Sequence, residues 1–332
     1  MPEHVSLSQE EATRLATRAC LAAGADEATT KSLVSATLSA AMYGPSVVGF
    51  PHFVDYLNSF REGRINCSPR PIRERLFPAY LASDADRGIA QLGFDLAFDD
   101  FVEAARTFGL AAFTQKNSYT TGELGYYVRR LAGEGLAGIA ATNANAMVTA
   151  KPGGPSVYST NPLAFGFPLA SGSKPIIIDQ ATSATAYVNI VAAAAEGRSI
   201  PEGWAVDELG QKTQDPNRAL KGSLLPFGGR KGANLALMVE MLSAGISGGP
   251  WSLDVPDFTS GSTSPGVGLT VLAIMPGAAG GDRVERASNQ STRLQEHGVF
   301  VPGVSSPEYA PAPDEVIMPR SVLDTISRFA GQ

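Results

Sequence analysis

The residues from Leu224 to Gly249 read LLPFGGRKGANLALMVEMLSAGISGG. Beyond the glycine pair of this segment, apolar residues recur at spacings of three and four, which predicts an amphipathic helix with Glu240 outside its apolar face. The apolar positions are Leu235, Leu237, Met238, Met241, Leu242 and Ile246. Bare N–H groups, the positive end of the helix dipole and the cations Arg230 and Lys231 then meet at one point, where a phosphate is readily held. A glycine-rich helix entry with two solvated cations explains the same residues, so this segment alone leaves both interpretations open.

Length, charge and cysteine content limit the class of protein. A chain of 332 residues can bury a large core in one domain or in two closely packed domains. The formal net charge is −6 and no basic stripe is present, so nucleic acid is not an expected partner. Cys20 and Cys67 are too few for a disulfide framework or a zinc site. Neither an apolar leader nor a membrane-spanning window is found, so we expect a cytoplasmic protein without a membrane partner.

The first 76 residues pattern as a helical module. Ser8 followed by Glu11 is a capping box and predicts a helix through about Leu21. Asp26 is the predicted N-cap of a second helix that ends near Met42. Phe53, Tyr56, Leu57 and Phe60 recur at helical spacing and predict a third helix before Gly63.

Residues 77–282 pattern as an α/β domain, because short apolar runs alternate with helical stretches. The predicted strands are 79–82, 109–114, 136–142, 164–169, 174–179 and 267–274, and the predicted helices are 93–108, 126–134 and 185–197. The polar residues 199–216, interrupted by Gly and Pro, are expected to form a surface loop. The tail 283–332 has helical segments at 283–297 and 321–332 and is expected to pack with residues 1–76.

Several common motifs are missing. No G-x-G-x-x-G follows a predicted strand, and neither a P-loop nor a G-x-S-x-G nucleophile elbow occurs, which argues against an ordinary Rossmann, P-loop or hydrolase site. The three histidines, His4, His52 and His297, have no metal-ligand spacing, so no metal is expected. Residue chemistry alone therefore gives an α/β protein with a candidate phosphate-binding turn.

Three blocks of sequence together point further. Ser159–Gly166 reads STNPLAFG, Asp179–Ser183 reads DQATS, and Leu225–Gly232 reads LPFGGRKG. In order and spacing they resemble the malate/L-lactate dehydrogenase family that is unrelated to the Rossmann dehydrogenases. The resemblance looks closest to its ketimine reductases, which act on Δ1-piperideine-2-carboxylate and Δ1-pyrroline-2-carboxylate. Shorter matches at 196–198, 200–203, 205–207 and 301–303 extend it over nearly the whole chain.

The resemblance implies an NAD(P)-dependent oxidoreductase with the family's own non-Rossmann α/β fold, a mixed sheet and the N-terminal helical module. It also implies a homodimer with the cofactor near the subunit interface. NADPH is favoured over NADH, because reductive members tend to use it. By position, the implied cofactor-binding residues are Ser118, Thr160, Asn161, Pro162, Asp179, Ala181, Thr182, Ser183, Gly229, Arg230, Lys231 and Gly232. Of these, the last four would hold phosphates, and Asp179, Thr182 and Ser183 would form a turn beside the nicotinamide or ribose. Alternatively, Asp179 is a turn residue at the end of a strand, with a side chain that bonds the backbone two residues further on.

The sequence departs from the family where substrate would be handled. The histidine of the family's Ser-His-Gly motif falls on Val48, its substrate-binding arginine on His52, and its second histidine on Thr120, whereas its tyrosine stays as Tyr56. Lys151 stands where relatives more often have an aromatic residue or a histidine; it could bind a carboxylate or phosphate, or be a solvated loop lysine. The candidate catalytic residues are therefore His52, Tyr56, Thr120 and Lys151.

These departures narrow the chemistry. Oxidising a 2-hydroxy acid needs a base for the hydroxyl proton, and the reverse reaction needs an acid, neither of which Val48 supplies. The nitrogen of a C=N bond is basic enough to arrive protonated, so we predict an NAD(P)H-dependent imine (ketimine) reductase. If His52, Tyr56 or Lys151 relays a proton, a 2-hydroxy-acid dehydrogenase acting on a 2-oxo acid remains the alternative. A cofactor-binding protein without dehydrogenase activity is a third hypothesis, which the intact cofactor blocks disfavour.

Overall fold

The fold is given by a computed structural model that describes residues 4–44, 46–277, 282–305 and 314–331. Its helices are α1 (Gln9–Ala22), α2 (Glu27–Tyr43), α3 (Phe50–Arg61), α4 (Ala90–Phe108), α5 (Gly125–Gly133), α6 (Tyr187–Ala195), α7 (Pro216–Ala219), α8 (Arg230–Glu240), α9 (Arg283–Glu296) and α10 (Arg320–Phe329). Its strands are β1 (His4–Ser8), β2 (Ile72–Phe77), β3 (Tyr80–Asp84), β4 (Leu110–Ser118), β5 (Ala137–Thr142), β6 (Val148–Thr149), β7 (Ser156–Tyr158), β8 (Leu163–Phe167), β9 (Ile176–Gln180), β10 (Ala205–Val206), β11 (Lys212–Thr213), β12 (Ser223–Leu224), β13 (Val267–Ile274) and β14 (Glu315–Pro319).

The N-terminal helices begin where the capping residues predict. Ser8 and Glu11 form the reciprocal capping box of α1, and the Asp26 side chain accepts a hydrogen bond from the backbone N–H of Thr29 in α2. Helix α3 begins earlier than its apolar spacing indicates, because Pro51 suits the first helical turn, where no backbone donor is needed. The three predicted N-terminal helices are confirmed.

A seven-stranded mixed sheet forms the centre of the chain, in the order β2-β3-β4-β13-β5-β8-β9. Its β3–β4 pair is parallel, and its other pairs are antiparallel. Helices α4 and α5 pack on it around an aromatic core that includes Phe94, Phe113 and Tyr127. The predicted α/β class with a mixed sheet is confirmed, and each predicted strand is present within a few residues of its expected bounds.

Residues 199–216 are not the surface loop that their polarity predicts. They contribute β10 and β11 to a five-stranded sheet of order β11-β10-β12-β6-β7. Ile200, Ala205 and Val206 are buried within this segment. Ile200 and Ala205 belong to a separate hydrophobic core that also contains residues of α6 and α7. The prediction was wrong because strands of two residues are too short to show an alternating apolar pattern.

The two ends of the described chain pack together. Strand β1 pairs with β14 in an antiparallel two-stranded sheet, and α10 packs against α1 and α3. Helix α9 is attached elsewhere, since the Ser288 hydroxyl accepts a hydrogen bond from the backbone N–H of Ala170. Strand β2 belongs to the central sheet, so residues 72–76 extend it rather than the helical module. The division of the chain into residues 1–76 with the tail and residues 77–282 stays a prediction. Residues 1–3, 45, 278–281, 306–313 and 332, which that division includes, lie outside the described residues.

Helix α8 exposes much of its apolar face and buries another face instead. Glu240 lies outside the apolar face, as predicted, yet it is only 4% exposed, while Leu237, Met238 and Met241 on that face are 43–47% exposed. The buried face instead carries small residues, including Ala233 and Ala236. A π-helical turn, Met241–Gly245, continues the helix.

Neither a membrane-spanning helix nor a metal site is found among the residues that the structure describes. No helix in this part of the chain is long and apolar enough to cross a membrane. Over the same residues, no group of three His, Cys, Asp or Glu side chains could hold a metal ion.

Candidate active site

The three sequence blocks that carry the family resemblance meet in the folded chain; we call them the motif cluster (159–166, 179–183 and 225–232). The backbone N–H of Thr182 donates to Thr160 O at 2.8 Å, and the backbone N–H of Phe227 donates to Thr182 O at 3.1 Å. Ser183 and Pro226 form an isolated antiparallel bridge. Thr182 therefore joins the first and third blocks through backbone hydrogen bonds.

Asn161 ties the first block to α8. It is fully buried in a left-handed conformation with φ of 37°, which Asn tolerates better than most residues. Its Nδ2 donates to Ala236 O and to Glu240 Oε2, both at 2.8 Å, and its Oδ1 accepts from the Ser159 hydroxyl at 2.6 Å. Because both amide hydrogens are bonded within the protein, Asn161 shapes the loop rather than offering its amide to a ligand.

Glu240 is the second anchor of this loop. Its Oε1 accepts from Ser252 N at 2.6 Å, and its Oε2 accepts from the Ser252 hydroxyl at 2.7 Å in addition to Asn161. In the part of the chain that the structure describes, no cation pairs with this carboxylate. Hydrogen bonds from neutral donors thus satisfy a buried acid, which fixes Asn161 relative to α8.

The glycine turn of the third block folds tightly onto the start of α8. Gly228 and Gly229 have φ values of 56° and 63°. A Cβ at Gly232 would lie 2.0 Å from Phe227 O, so only glycine fits. Arg230 and Lys231 are exposed, and their side chains have no hydrogen bond or ion pair with any residue that the structure describes. Free helix N–H groups beside two unpaired cations fit a phosphate of a dinucleotide.

Asp179 lies within β9, so the turn predicted at this residue is not observed, while its place beside the cofactor stays a prediction. Its Oδ2 accepts from the backbone N–H of Gly125 at 2.8 Å and thereby caps α5. Burial raises the pKa of this carboxyl to about 6, against the lowering effect of the Gly125 bond and with a smaller raising effect of nearby Glu123. Glu123 is itself buried and paired with Arg129 at 2.7 Å.

The candidate catalytic residues His52, Tyr56 and Thr120 also meet, and we call them the histidine cluster. Helix α3 presents His52 and Tyr56 one turn apart, and Thr120 follows the end of β4. Thr120 Oγ1 lies 2.6 Å from the Tyr56 hydroxyl and 3.4 Å from His52 Nε2. The Tyr56 ring is buried, whereas Thr120 is half-buried and the His52 side chain is 18% exposed. The cluster is therefore reachable from solvent at Thr120 and His52.

Further side chains complete the histidine cluster. Asp55 Oδ2 lies 2.9 Å from His52 Nδ1, and Gln91 Nε2 donates to the Tyr56 hydroxyl at 3.3 Å. The ring of Phe258 meets the rings of His52 and Tyr119 edge-on. Burial raises the pKa of Tyr56 to about 12, so its hydroxyl keeps its proton at physiological pH.

Two other sequence candidates lie apart from the histidine cluster. Lys151 follows β6 with an exposed side chain that forms no hydrogen bond or ion pair with the described residues. Ser118 is fully buried at the end of β4, where its hydroxyl accepts from Gln115 Nε2 at 3.0 Å. Val48, in the 3₁₀ turn before α3, offers no proton-transfer group where the family has a histidine.

Sequence reasoning missed Asp55, Gln91 and Phe258 of the histidine cluster and the role of Glu240 as an anchor of the motif cluster. Asp55 stands three positions after His52, a spacing that places both on one face of a helix and could have been noticed. Gln91 and Glu240 gave no such signal, because their partners are distant in sequence.

One short segment connects the two clusters. Thr120 belongs to the histidine cluster, and Gly125 binds Asp179 of the motif cluster. Four residues lie between Thr120 and Gly125, so their Cα atoms are at most about 18 Å apart. Thr120 of the histidine cluster therefore lies near the helix start that Asp179 of the motif cluster caps.

Comparison with known proteins agrees with this geometry. The chain is 31% identical to Δ1-pyrroline-2-carboxylate reductase of Pseudomonas fluorescens, over 98% of this chain and 99% of that protein. It is also 31% identical to (2R)-3-sulfolactate dehydrogenase (NADP(+)) of Chromohalobacter salexigens, over 98% of both chains. The crystal structure of Δ1-piperideine-2-carboxylate reductase from Pseudomonas syringae superposes with a TM-score of 0.87 at 29% identity, covering 98% of this chain and 99% of that one.

These likenesses and the fold define an NAD(P)-dependent oxidoreductase built on a non-Rossmann α/β fold. The chain belongs to the malate/L-lactate dehydrogenase family, whose sequence model matches residues 7–305.

Proposed function

We propose that this protein is an NAD(P)H-dependent imine reductase that acts on a cyclic or substituted imino acid. The observation that carries the proposal is the pair of substitutions at the family's histidine positions, Val48 and Thr120. A ketone needs a strong acid to protonate the developing alkoxide, whereas an imine nitrogen is basic and needs far less help. The imino-acid reductases among the similar proteins support the same substrate class.

The residues of the motif cluster fit the cofactor that this reaction needs. We propose that Gly229, Arg230, Lys231 and Gly232 hold its phosphates, and that Thr160, Pro162, Ala181, Thr182 and Ser183 border its nicotinamide half. Asn161, Asp179 and Ser118 would hold the site in shape without contacting the cofactor, because their side chains form hydrogen bonds within the protein. The bound cofactor would supply hydride, with NADPH favoured over NADH.

A substrate panel tests the proposal. NADPH and NADH are each offered with Δ1-piperideine-2-carboxylate, Δ1-pyrroline-2-carboxylate, pyruvate, oxaloacetate and a mixture of a 2-oxo acid with methylamine, and cofactor oxidation is followed by absorbance. Oxidation with the imines alone, or far faster than with pyruvate and oxaloacetate, is the expected result. Clear preference for plain 2-oxo acids would end the proposal. Cofactor binding without turnover would mean a substrate outside the panel, and no binding would favour a protein without dehydrogenase activity.

A 2-hydroxy-acid dehydrogenase is the second candidate, and one observation favours it. Asp55 and His52 form a carboxylate–imidazole pair beside the Thr120 hydroxyl, an arrangement able to carry protons in place of the missing histidines. The likeness to a sulfolactate dehydrogenase agrees with it. Lys151, whose ammonium group bonds to none of the described residues, stays a candidate for holding the carboxylate of either kind of substrate.

We also propose that the protein is a homodimer that covers the apolar face of α8. That face continues onto neighbouring exposed residues and comprises Phe227, Leu237, Met238, Met241, Ile246, Trp251 and Leu253, each at least 36% exposed. Apolar patches of this kind mark interaction sites. Met241→Glu should convert the dimer to a monomer in size-exclusion chromatography with light scattering. Leu209→Glu, at a 70% exposed residue outside this face, is the matched control and should leave the dimer intact.

A further inference from the structure

Gln91 fixes the direction of one hydrogen bond at the deep end of the histidine cluster. Its Nε2 donates to Thr121 O at 2.9 Å and to the Tyr56 hydroxyl at 3.3 Å. A carbonyl oxygen only accepts, so the amide cannot be turned to present Oε1 to Thr121. The Tyr56 oxygen therefore accepts from Gln91, and its buried O–H still needs an acceptor. We therefore assign Tyr56 as the donor of the 2.6 Å bond between the hydroxyls of Tyr56 and Thr120.

Asp55 fixes the direction of a bond at the other end. Its Oδ2 lies 2.9 Å from His52 Nδ1, and a carboxylate accepts but does not donate. The proton of the neutral His52 ring is thus on Nδ1, and Nε2 faces Thr120 Oγ1 at 3.4 Å as an acceptor. Among the described residues, Tyr119 lies against the Tyr56 ring, and Arg64 lies behind Tyr119.

Thr120 stands between these two fixed ends, and the state of His52 decides where its proton points. With a neutral ring, the Thr120 proton points to Nε2. With a protonated ring, Nε2–H and the Tyr56 hydroxyl both donate to Thr120 Oγ1, which then accepts two bonds. Its own proton has no acceptor left among these groups, and it turns to the side where Thr120 and His52 are open to solvent.

We propose that Thr120 passes the proton to the substrate and that His52 replaces it, with Asp55 and Gln91 as positioning residues. This inference rests on the proposed reduction of a C=N bond. The bound cofactor supplies the hydride that the substrate carbon gains. Hydride addition to the carbon of the protonated C=N bond frees the nitrogen lone pair. The Thr120 O–H bond then breaks as a further N–H bond forms on the product amine, and the His52 Nε2–H bond breaks as the Thr120 O–H bond is remade. His52 ends neutral and takes its next proton from solvent.

This relay suits a basic acceptor. A threonine hydroxyl is a weak acid, but it does not build up charge when imidazolium replaces its proton in the same step. The relay therefore serves an imine nitrogen well and the oxygen of a ketone less well.

A pair of substitutions at one position tests the hydroxyl itself. Thr120→Val removes the hydroxyl at nearly constant volume and should lower kcat on the preferred substrate about 100-fold, a usual size for a lost proton-transfer group. Thr120→Ser keeps the hydroxyl and should keep most of the activity, and neither change should alter the KM for NADPH. Full activity in Thr120→Val, or equal loss in both variants, would overturn the proposal. If 2-oxo acids prove to be the substrates, the proposed function fails, while the same contrast measured on them still decides the relay.

The ring of His52 gives a readout that needs no substrate. The chain has three histidines, so ¹⁵N–¹H correlation spectra of histidine-labelled protein are simple, and His52→Asn assigns the signal of His52. In the neutral ring we expect the proton on Nδ1 in the wild type and a loss of that preference in Asp55→Ala. Asp99→Ala, at an exposed aspartate of α4, is the matched control and should not change the spectrum. A wild-type ring with its proton on Nε2 would refute the proposed relay.

Discussion

The motif cluster and the histidine cluster are held together by different kinds of bond. Thr160, Thr182 and Phe227 are joined through backbone groups, and Asn161 also binds a backbone carbonyl. His52, Tyr56, Thr120 and their neighbours are joined mainly side chain to side chain. A cluster held by backbone hydrogen bonds requires particular residues at positions where the backbone has a positive φ or where two segments approach closely, as at Gly229 and Gly232. A cluster held by side chains can exchange residue types as long as each donor still finds an acceptor.

The largest expected effect comes from filling the glycine turn of the motif cluster. Gly232→Ala places a Cβ 2.0 Å from a backbone oxygen that cannot move alone. We expect a loss of about 3 kcal/mol in the free energy of unfolding, the upper part of the range for overpacking, and loss of NADPH binding. Urea denaturation and fluorescence titration measure both. Gly133→Ala, where a Cβ meets no atom within 4 Å, is the control; wild-type binding in Gly232→Ala would remove the argument that shape governs this cluster.

The substitution Glu240→Gln tests whether the position of Asn161 in the motif cluster depends on the Glu240 side chain. A glutamine cannot accept all three bonds, because its amide nitrogen faces either the backbone N–H of Ser252 or the pair of donors on the other oxygen, Asn161 Nδ2 and the Ser252 hydroxyl. We expect a cost of about 2 kcal/mol and a KM for NADPH that rises more than kcat falls. Glu103→Gln, at an exposed position of α4, should change neither quantity. An unchanged KM would show that Asn161 keeps the loop in place without Glu240.

The smallest expected effect concerns Asp179 and pH. The folded carboxyl has a pKa of about 6 against an ordinary value of 3.8, so the folded state binds the proton more tightly than the unfolded state. Stability from this group is therefore fully present below about pH 4 and is lost as pH rises to about 6. Asp179→Asn should lack this loss, which we set at about 1–2 kcal/mol because solvent partly screens the site.

Urea denaturation of the wild type and Asp179→Asn at several pH values measures that difference. The variant should gain stability relative to the wild type between pH 4 and pH 7. Asp99→Asn is the control for the removal of one surface charge and should show no such gain. Parallel pH curves for Asp179→Asn and the wild type would contradict a raised pKa at Asp179.

A structural feature could be predicted from the sequence when the residues that cause it lie within one short segment. The capping box at Ser8 and the cap at Asp26 are local, and both helices begin where expected. The two-residue strands β10 and β11 have no local signal, because distant partners impose them. The same holds in the candidate site: Gly232 could be read from its turn, whereas the burial of Glu240 depends on Ser252 and Asn161.

The pairing of β1 with β14 has a consequence for how the protein is made. Ser6 and Glu315 meet across 309 positions of chain, so closing this pair costs about 5 kcal/mol in loop entropy. On the ribosome, that interval takes roughly 15–60 s at 5–20 residues per second. During this time Val316 and Phe329 are not yet available to cover the core under α1 and α3. Helices α1 and α3 thus depend on elements that are synthesised much later, and chaperones have an opportunity to act on this chain before β14 and α10 emerge.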